Sequence, residues 1–147
     1  MSGRVMIHVQ HLLGVGHLSR AAQLTNALDR AGMDVALVSG GRPAPQITTR
    51  PGVRRMQLPP LRARDASFSS LVDVHDQPID DDFRRDRCHR LLNLYEDTRP
   101  EVLITELFPF GRRQLRFELL PLLEMARRDR HCQTIACSVR DIVNRRP

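Results

Sequence analysis

Lysine and tryptophan are absent from this chain, so all 23 of its basic residues are arginine. Without lysine there is no Schiff-base catalysis and no Walker-type phosphate loop, which needs Gly-Lys-Ser/Thr. Aromatic residues are scarce, one tyrosine and five phenylalanines, and they do not interleave with the arginines. That pattern argues against a stacking platform for single strands, and no nucleic-acid partner is expected. Cysteine is limited to Cys88, Cys132 and Cys137, an odd number without framework spacing. They read as small buried residues of a protein in a reducing cytosol. No apolar run approaches the length of a membrane span, and the N-terminal run is short and lacks a small-residue cleavage site. The expected location is the cytoplasm, with the inner face of the membrane left open by the charge.

A length of 147 residues with 41% hydrophobic and 27% charged residues describes one globular domain with a real core. The formal net charge is +6, carried by arginines dispersed in ones and twos. A dispersed charge reads first as a solvated surface that aids solubility. It also allows attraction to phosphates or to an anionic membrane surface.

The stretch His11-Leu12-Leu13-Gly14-Val15-Gly16-His17-Leu18-Ser19-Arg20 stands out. It follows an apolar run within Arg4 to Gln10 that reads as a parallel strand covered on both faces. It opens a helix from about His17 to Ala31, with Leu18, Ala21, Ala22, Leu24, Thr25 and Leu28 facing inward and Gly32 as the stop. Strand, glycine turn and helix N-terminus in that order make an anion and polar-ligand site. The first turn has unpaired N–H groups, and Gly14 and Gly16 can take φ > 0 and admit other groups to the backbone.

Met33 to Ser39 reads as a second strand, broken by Gly40-Gly41, and Val53 to Leu58 as a weaker third. Leu61 to Ile79 is long, polar and poorly periodic. It is expected to be a mobile segment near the site with a short helix around Phe68 to Val72. Asp80 caps a helix through Thr98, with Asp81 and Asp82 matching its dipole and Phe83, Arg87, Leu91, Leu94 and Tyr95 on one face. Val102 to Thr105 is a fourth strand. Arg112 to Arg128 is a helix that Pro121 should kink or split, and Thr134 to Ser138 is a fifth strand.

Strands alternating with helices predict an α/β fold, a doubly wound, mostly parallel Rossmann-like sheet of about five strands with helices on both faces. In the order 3-2-1-4-5, the first and fourth strands part at the topological switch point, where ligands bind outside the carboxyl ends. That geometry would gather His17, Glu106 and the Arg140-Asp141 pair, with Gly40 and Gly41 at the same edge. A dinucleotide fingerprint fits poorly. Ser19 stands where the third glycine should be, and the second strand ends in Ser39 rather than an acidic residue.

Gly14-x-Gly16-His17-x-x-Arg20 after a first strand resembles the N-terminal motif of GT-B glycosyltransferases of the family 28 type. That group includes the lipid II N-acetylglucosaminyltransferase, and a similar motif occurs in the UDP-sugar hydrolase of pseudaminic acid synthesis. The likeness is closer to bacterial predicted glycosyltransferases, through residues 10–20, Leu37-Val38-Ser39-Gly40-Gly41, Glu106 to Arg113 and Ser138-Val139-Arg140-Asp141. The resemblance implies a single N-terminal, acceptor-side domain over residues 1–147. Its partner would be a C-terminal domain, missing here, that holds the nucleotide-sugar donor, expected to be a UDP-sugar. A truncated domain of this kind is expected to be inactive alone.

Inverting sugar transfer needs a base for the acceptor hydroxyl, and a histidine suits it. A helix N-terminus favours the neutral imidazole, ready to accept a proton. His17 is accordingly the candidate catalytic base; the alternative is a capping histidine. Glu106 either orients His17 as the second catalytic residue or caps the next helix. Substrate-binding candidates are Gly14, Gly16, Arg20, Gly40, Gly41, Arg112, Arg140 and Asp141. Arg20 would pair with Glu106 or with a phosphate. Arg112 and Arg113 would clamp phosphate or decorate a helix start. Arg140 and Asp141 would contact substrate or pair with each other. Phe108 and Phe110 read as core packing before acceptor surface, His11 as a loop residue, and His8 as a satisfied core or edge residue. No cofactor and no metal are called for, since His8, His11 and His17 lack a closed ligand set. The two alternatives to transfer are a nucleotide-sugar hydrolase, with His17 activating water, and a non-catalytic domain that binds anions or lipid.

Overall fold

The computed structural model describes residues 3–140. Its elements in order are β1 (Arg4–Val9), α1 (Gly16–Arg30), β2 (Asp34–Ser39), β3 (Arg54–Gln57), β4 (Arg62–Ala63), β5 (Leu71–Val72), α2 (Asp81–Thr98), β6 (Val102–Glu106), α3 (Arg116–Arg128) and β7 (Thr134–Ser138). The main sheet is five-stranded in the order β3-β2-β1-β6-β7, parallel throughout, which is the doubly wound arrangement expected.

β1 explains why the sheet is layered as it is. Its alternating side chains serve two cores. Val5, Ile7 and Val9 pack with Leu18 and Ala21 of α1 and with Val35 and Leu37 of β2. Met6 packs on the opposite face with Leu91 and Tyr95 of α2 and Leu119 and Leu122 of α3. The register sets Val9 beside Ser39 and His8 beside Thr105, while Glu106 pairs with Ser138. The carboxyl ends of β1, β2, β6 and β7 therefore form one rim. From β1 the chain turns to α1 on one face, and from β6 to α3 on the other, which opens the crevice of a switch point between them.

α2 starts as its sequence predicts, with the Asp80 side chain accepting from the Phe83 N–H at 2.7 Å. It ends with Arg99 in the left-handed region at φ 47°, just before Pro100.

Four expectations need correction. Leu61 to Ile79 contains no helix at Phe68 to Val72. Arg62–Ala63 pairs antiparallel with Leu71–Val72 instead, and Phe68 takes φ 57° in the connecting turn. Local side-chain bonds from Asp65, Ser67 and Asp73 to nearby main-chain N–H groups favour turns over helix. The helix expected from Arg112 begins later: Arg112 is left-handed at φ 61°, a single 3-10 turn covers Arg113–Leu115, and α3 follows. α3 then continues through Pro121 without splitting. The bond that proline forgoes lies near the helix start, and the buried neighbours Leu119 and Leu122 hold the turn in place. The cysteines are only half-buried, because Cys88 sits on a helix flank, Cys132 in a loop and Cys137 on the edge strand β7. Burial still pushes the Cys88 and Cys137 thiols up from their ordinary value. Among the described residues, no helix is long and apolar enough to cross a membrane.

Candidate functional site

His17 is the second residue of α1, whose N-terminus has no side-chain cap. Its first-turn N–H groups are thus free of the usual serine, threonine or aspartate oxygen. Glu106 ends β6 and is buried at 3% exposure. The switch point brings these two together across 89 residues of sequence, with His17 Nδ1 3.3 Å from Glu106 Oε1. Glu106 caps no helix. Arg20 also approaches it, with Nε 3.9 Å from the same oxygen. A carboxylate only accepts, so the ring donates to it from Nδ1–H, and Nε2 is the other nitrogen.

Arg20 faces protein rather than open cleft. Its Nη2 donates to Ser138 Oγ at 3.2 Å and to the Val139 carbonyl at 2.5 Å, tying α1 to the end of β7. Arg140 follows directly, and its Nη1 stands 3.9 Å from where a Cβ on Gly16 would be. Arg112 crosses from the β6 loop to the β1 loop and donates from Nε to the Gln10 carbonyl at 2.8 Å. Burial draws the Arg112 guanidinium down from its ordinary value, and the nearby Glu106 carboxylate pulls the other way.

These groups wall a cleft of about 250 Å³ whose lining includes Leu13, Gly14, Gly16, His17, Arg112 and Arg140, with Phe68 from the hairpin turn. The polar segment between Leu61 and Ile79 therefore reaches the site, through the aromatic ring of Phe68 in a turn rather than a helix. Gly14 and Gly16 need no special backbone, since the one described glycine with positive φ is Gly32. They contribute by carrying no side chain. A Cβ on Gly14 would have nothing within 4 Å, so that wall is open.

Gly40 and Gly41 lie at the same rim but face inward. A Cβ on Gly40 would fall 1.9 Å from Arg87 Nη2 and 2.1 Å from Gln10 Oε1. A Cβ on Gly41 would fall 2.3 Å from the His11 ring. Both glycines make room for buried polar groups, a role invisible without the third dimension. Phe108 is buried whereas Phe110 is exposed. Asp141 lies outside the described residues. His8 is buried but not satisfied: its Nε2 has no hydrogen-bond partner and stands 3.8 Å from Glu118 Oε1. Among the described residues, no group of three His, Cys, Asp or Glu side chains is placed to hold a metal ion.

His11 supports a pH prediction. Burial holds its imidazole below the ordinary histidine range, opposed by a backbone bond to Arg42 and reinforced by the charges of Arg112 and His17. A base depressed in the folded state binds fewer protons there than when unfolded. Its stabilising contribution is full above about pH 6.5 and is lost as pH falls toward and through the folded value. Urea midpoints are therefore expected to drop between pH 7.5 and 5.5, by less in His11→Gln, by an amount on the order of that one group's linkage.

Sequence comparison finds no matching family model and no matching curated protein. Solved structures do match. UGT2 of Phytolacca americana, in complex with UDP-2fluoro-glucose and pterostilbene, aligns at 16% identity and TM-score 0.48, over 80% of this chain and 29% of that one. Its apo form aligns at 17% identity and TM-score 0.47, over 80% and 28%. A UGT transferase of Siraitia grosvenorii, in complex with UDP, aligns at 19% identity and TM-score 0.44, over 79% and 26%. The chain thus spans less than a third of the length of each of these three.

Proposed function

We propose that this domain is the acceptor-side half of a glycosyltransferase that draws on a nucleotide-sugar, a UDP-sugar in the first instance, with His17 as general base. The observation that carries the reading is the 3.3 Å approach of His17 Nδ1 to the buried Glu106 carboxylate at the mouth of a cleft. The motif resemblance supplies the reaction class.

In this scheme Nε2 of His17 takes the proton of an acceptor hydroxyl as its oxygen attacks the anomeric carbon. The bond from that carbon to the nucleoside diphosphate breaks, and the diphosphate leaves with the electron pair. Glu106 orients the ring and stabilises the imidazolium that forms. Arg112, Arg140 and the uncapped N–H groups of α1 offer charge and donors to a diphosphate or to an anionic acceptor group. Gly14 and Gly16 keep the wall open, and Arg20 holds Glu106 and the end of β7 in register. The donor's nucleotide would be held mainly by a second domain, as the resemblance implies. The chemistry as written needs no metal ion and no cofactor.

The test is to incubate the full-length protein with UDP-sugars, with and without hydroxyl acceptors, and to follow UDP and free sugar separately. UDP release that depends on acceptor, without free sugar, supports transfer. Free sugar released without acceptor would overturn it in favour of hydrolysis, with His17 activating water. Anion or lipid binding unaffected by His17→Ala, with no UDP release under any pairing, would point to the non-catalytic alternative.

A further inference from the structure

Arg87 is the largest fully buried side chain among the described residues, and nothing in the chemistry above uses it. It projects from α2 into the layer between helices and sheet. Its Nη1 donates to Glu118 Oε1 of α3 at 2.9 Å. Its Nη2 donates to Gln10 Oε1 at 2.6 Å and to the Gly40 carbonyl at 3.1 Å. Arginine has no acceptor, so the Gln10 amide must turn its oxygen toward Arg87 and its nitrogen away. That nitrogen then donates to the His11 carbonyl at 2.8 Å and to the Leu61 carbonyl at 3.1 Å. One side chain thereby fixes the chain at the exit of β1, and the main-chain oxygen of the same Gln10 receives Arg112 Nε at 2.8 Å.

The network makes little sense as a stability device. Arg87 Nε, Glu118 Oε2 and His8 Nε2 are buried without hydrogen-bond partners. Burial draws the Arg87 guanidinium down from its ordinary value, against the pull of Glu118. A partly satisfied buried ion pair is typically no better for stability than an apolar replacement. What it does accomplish is geometric, because its branches end at the exits of β1 and β2 and at α3.

We propose that Arg87 is a positioning residue that acts through Gln10 to set the height and direction of Arg112 over the cleft. Glu118 orients Arg87, and Gly40 leaves room for the junction. The placement of Arg112 follows from these contacts alone. Only the use made of Arg112, as a cation for a phosphate-bearing substrate, rests on the functional reading above.

The experiment follows the Arg112 Nε–H by NMR in the full chain, with two variants. Arg87→Lys keeps the charge beside Glu118 but lacks the planar fork that serves Glu118 and Gln10 together. Gln10→Ala leaves the ion pair intact and removes the link, together with its bonds to the His11 and Leu61 carbonyls. In both, Arg112 Nε–H exchange with solvent is expected to rise by about tenfold while the amides of β1 and β6 stay protected. An Arg112 signal within about twofold of wild type in Gln10→Ala overturns the proposal, whether or not Arg87→Lys folds. This readout needs no substrate, so it stands apart from the fate of the functional reading. Where turnover is measurable, KM for the phosphate-bearing substrate should rise by about tenfold with kcat nearly kept. A merely structural effect would lower the active fraction, and so kcat, at unchanged KM.

Discussion

Alanine at position 17 is expected to lower kcat/KM of the full-length protein for sugar transfer by ~10²–10⁴, the usual worth of a positioned general base. The substitution leaves both hydrophobic cores intact. The His17 side chain is partly exposed at 23% and belongs to neither hydrophobic core, so truncating it opens no large cavity. It does take the hydrogen-bond partner from the buried Glu106 carboxylate, so a stability cost of about 1–3 kcal/mol is expected beside the larger loss of rate. Glu106→Gln probes the same step from behind. The amide can still bond Nδ1, but it cannot stabilise a charged ring, and it presents a neutral group to Arg20 3.9 Å away. It should therefore lose activity without reaching the His17→Ala floor, and it should also loosen the end of β7 that Arg20 holds. Steady-state rates together with urea unfolding separate the two effects. A His17→Ala enzyme with undiminished turnover would falsify the assignment of His17, and an inactive but fully folded one would sustain it.

That His17 and Glu106 meet at one rim is legible in the sequence because topology dictates it, whereas the choice between orienting His17 and capping the next helix is not. A strand, a glycine turn and a helix place His17 at a rim, and a fourth strand over Val102 to Thr105 delivers Glu106 to that rim beside β1. The helix bounded by Asp80 and Pro100 was legible because its caps are local. The roles of Gly40 and Gly41 were not, since what each glycine makes room for comes from distant sequence, Arg87 and Gln10 in one case and the His11 ring in the other. Its period groups Arg87 with Leu91 and Tyr95 on one face of α2, but period says nothing about a partner 31 residues away. The β4–β5 pair was missed because strands of two residues carry no alternation to read. The left-handed Arg112 was missed for a related reason: a non-glycine residue at φ 61° is stable only where tertiary contacts, here the bond to Gln10, over-determine it.

Removing one partner of the buried ion pair should have the largest effect on stability. Glu118→Ala leaves the Arg87 guanidinium at zero exposure with no counter-charge, only the neutral oxygens of Gln10 and Gly40. A cost of about 3–5 kcal/mol is expected, a large share of the ~5–15 kcal/mol that holds a domain folded. The double variant Arg87→Met with Glu118→Leu removes both charges and fills much of the same space. It should recover most of that loss, because the desolvation of two ions disappears along with their attraction. Urea unfolding of the wild type, Glu118→Ala and the double variant measures this directly, with unchanged m-values required for the comparison. The double variant also divides stability from geometry. With Gln10 no longer held, it should keep most of the wild-type stability yet leave the Arg112 Nε–H open to solvent. A double variant as unstable as Glu118→Ala would mean instead that the pair is kept for the stability it contributes.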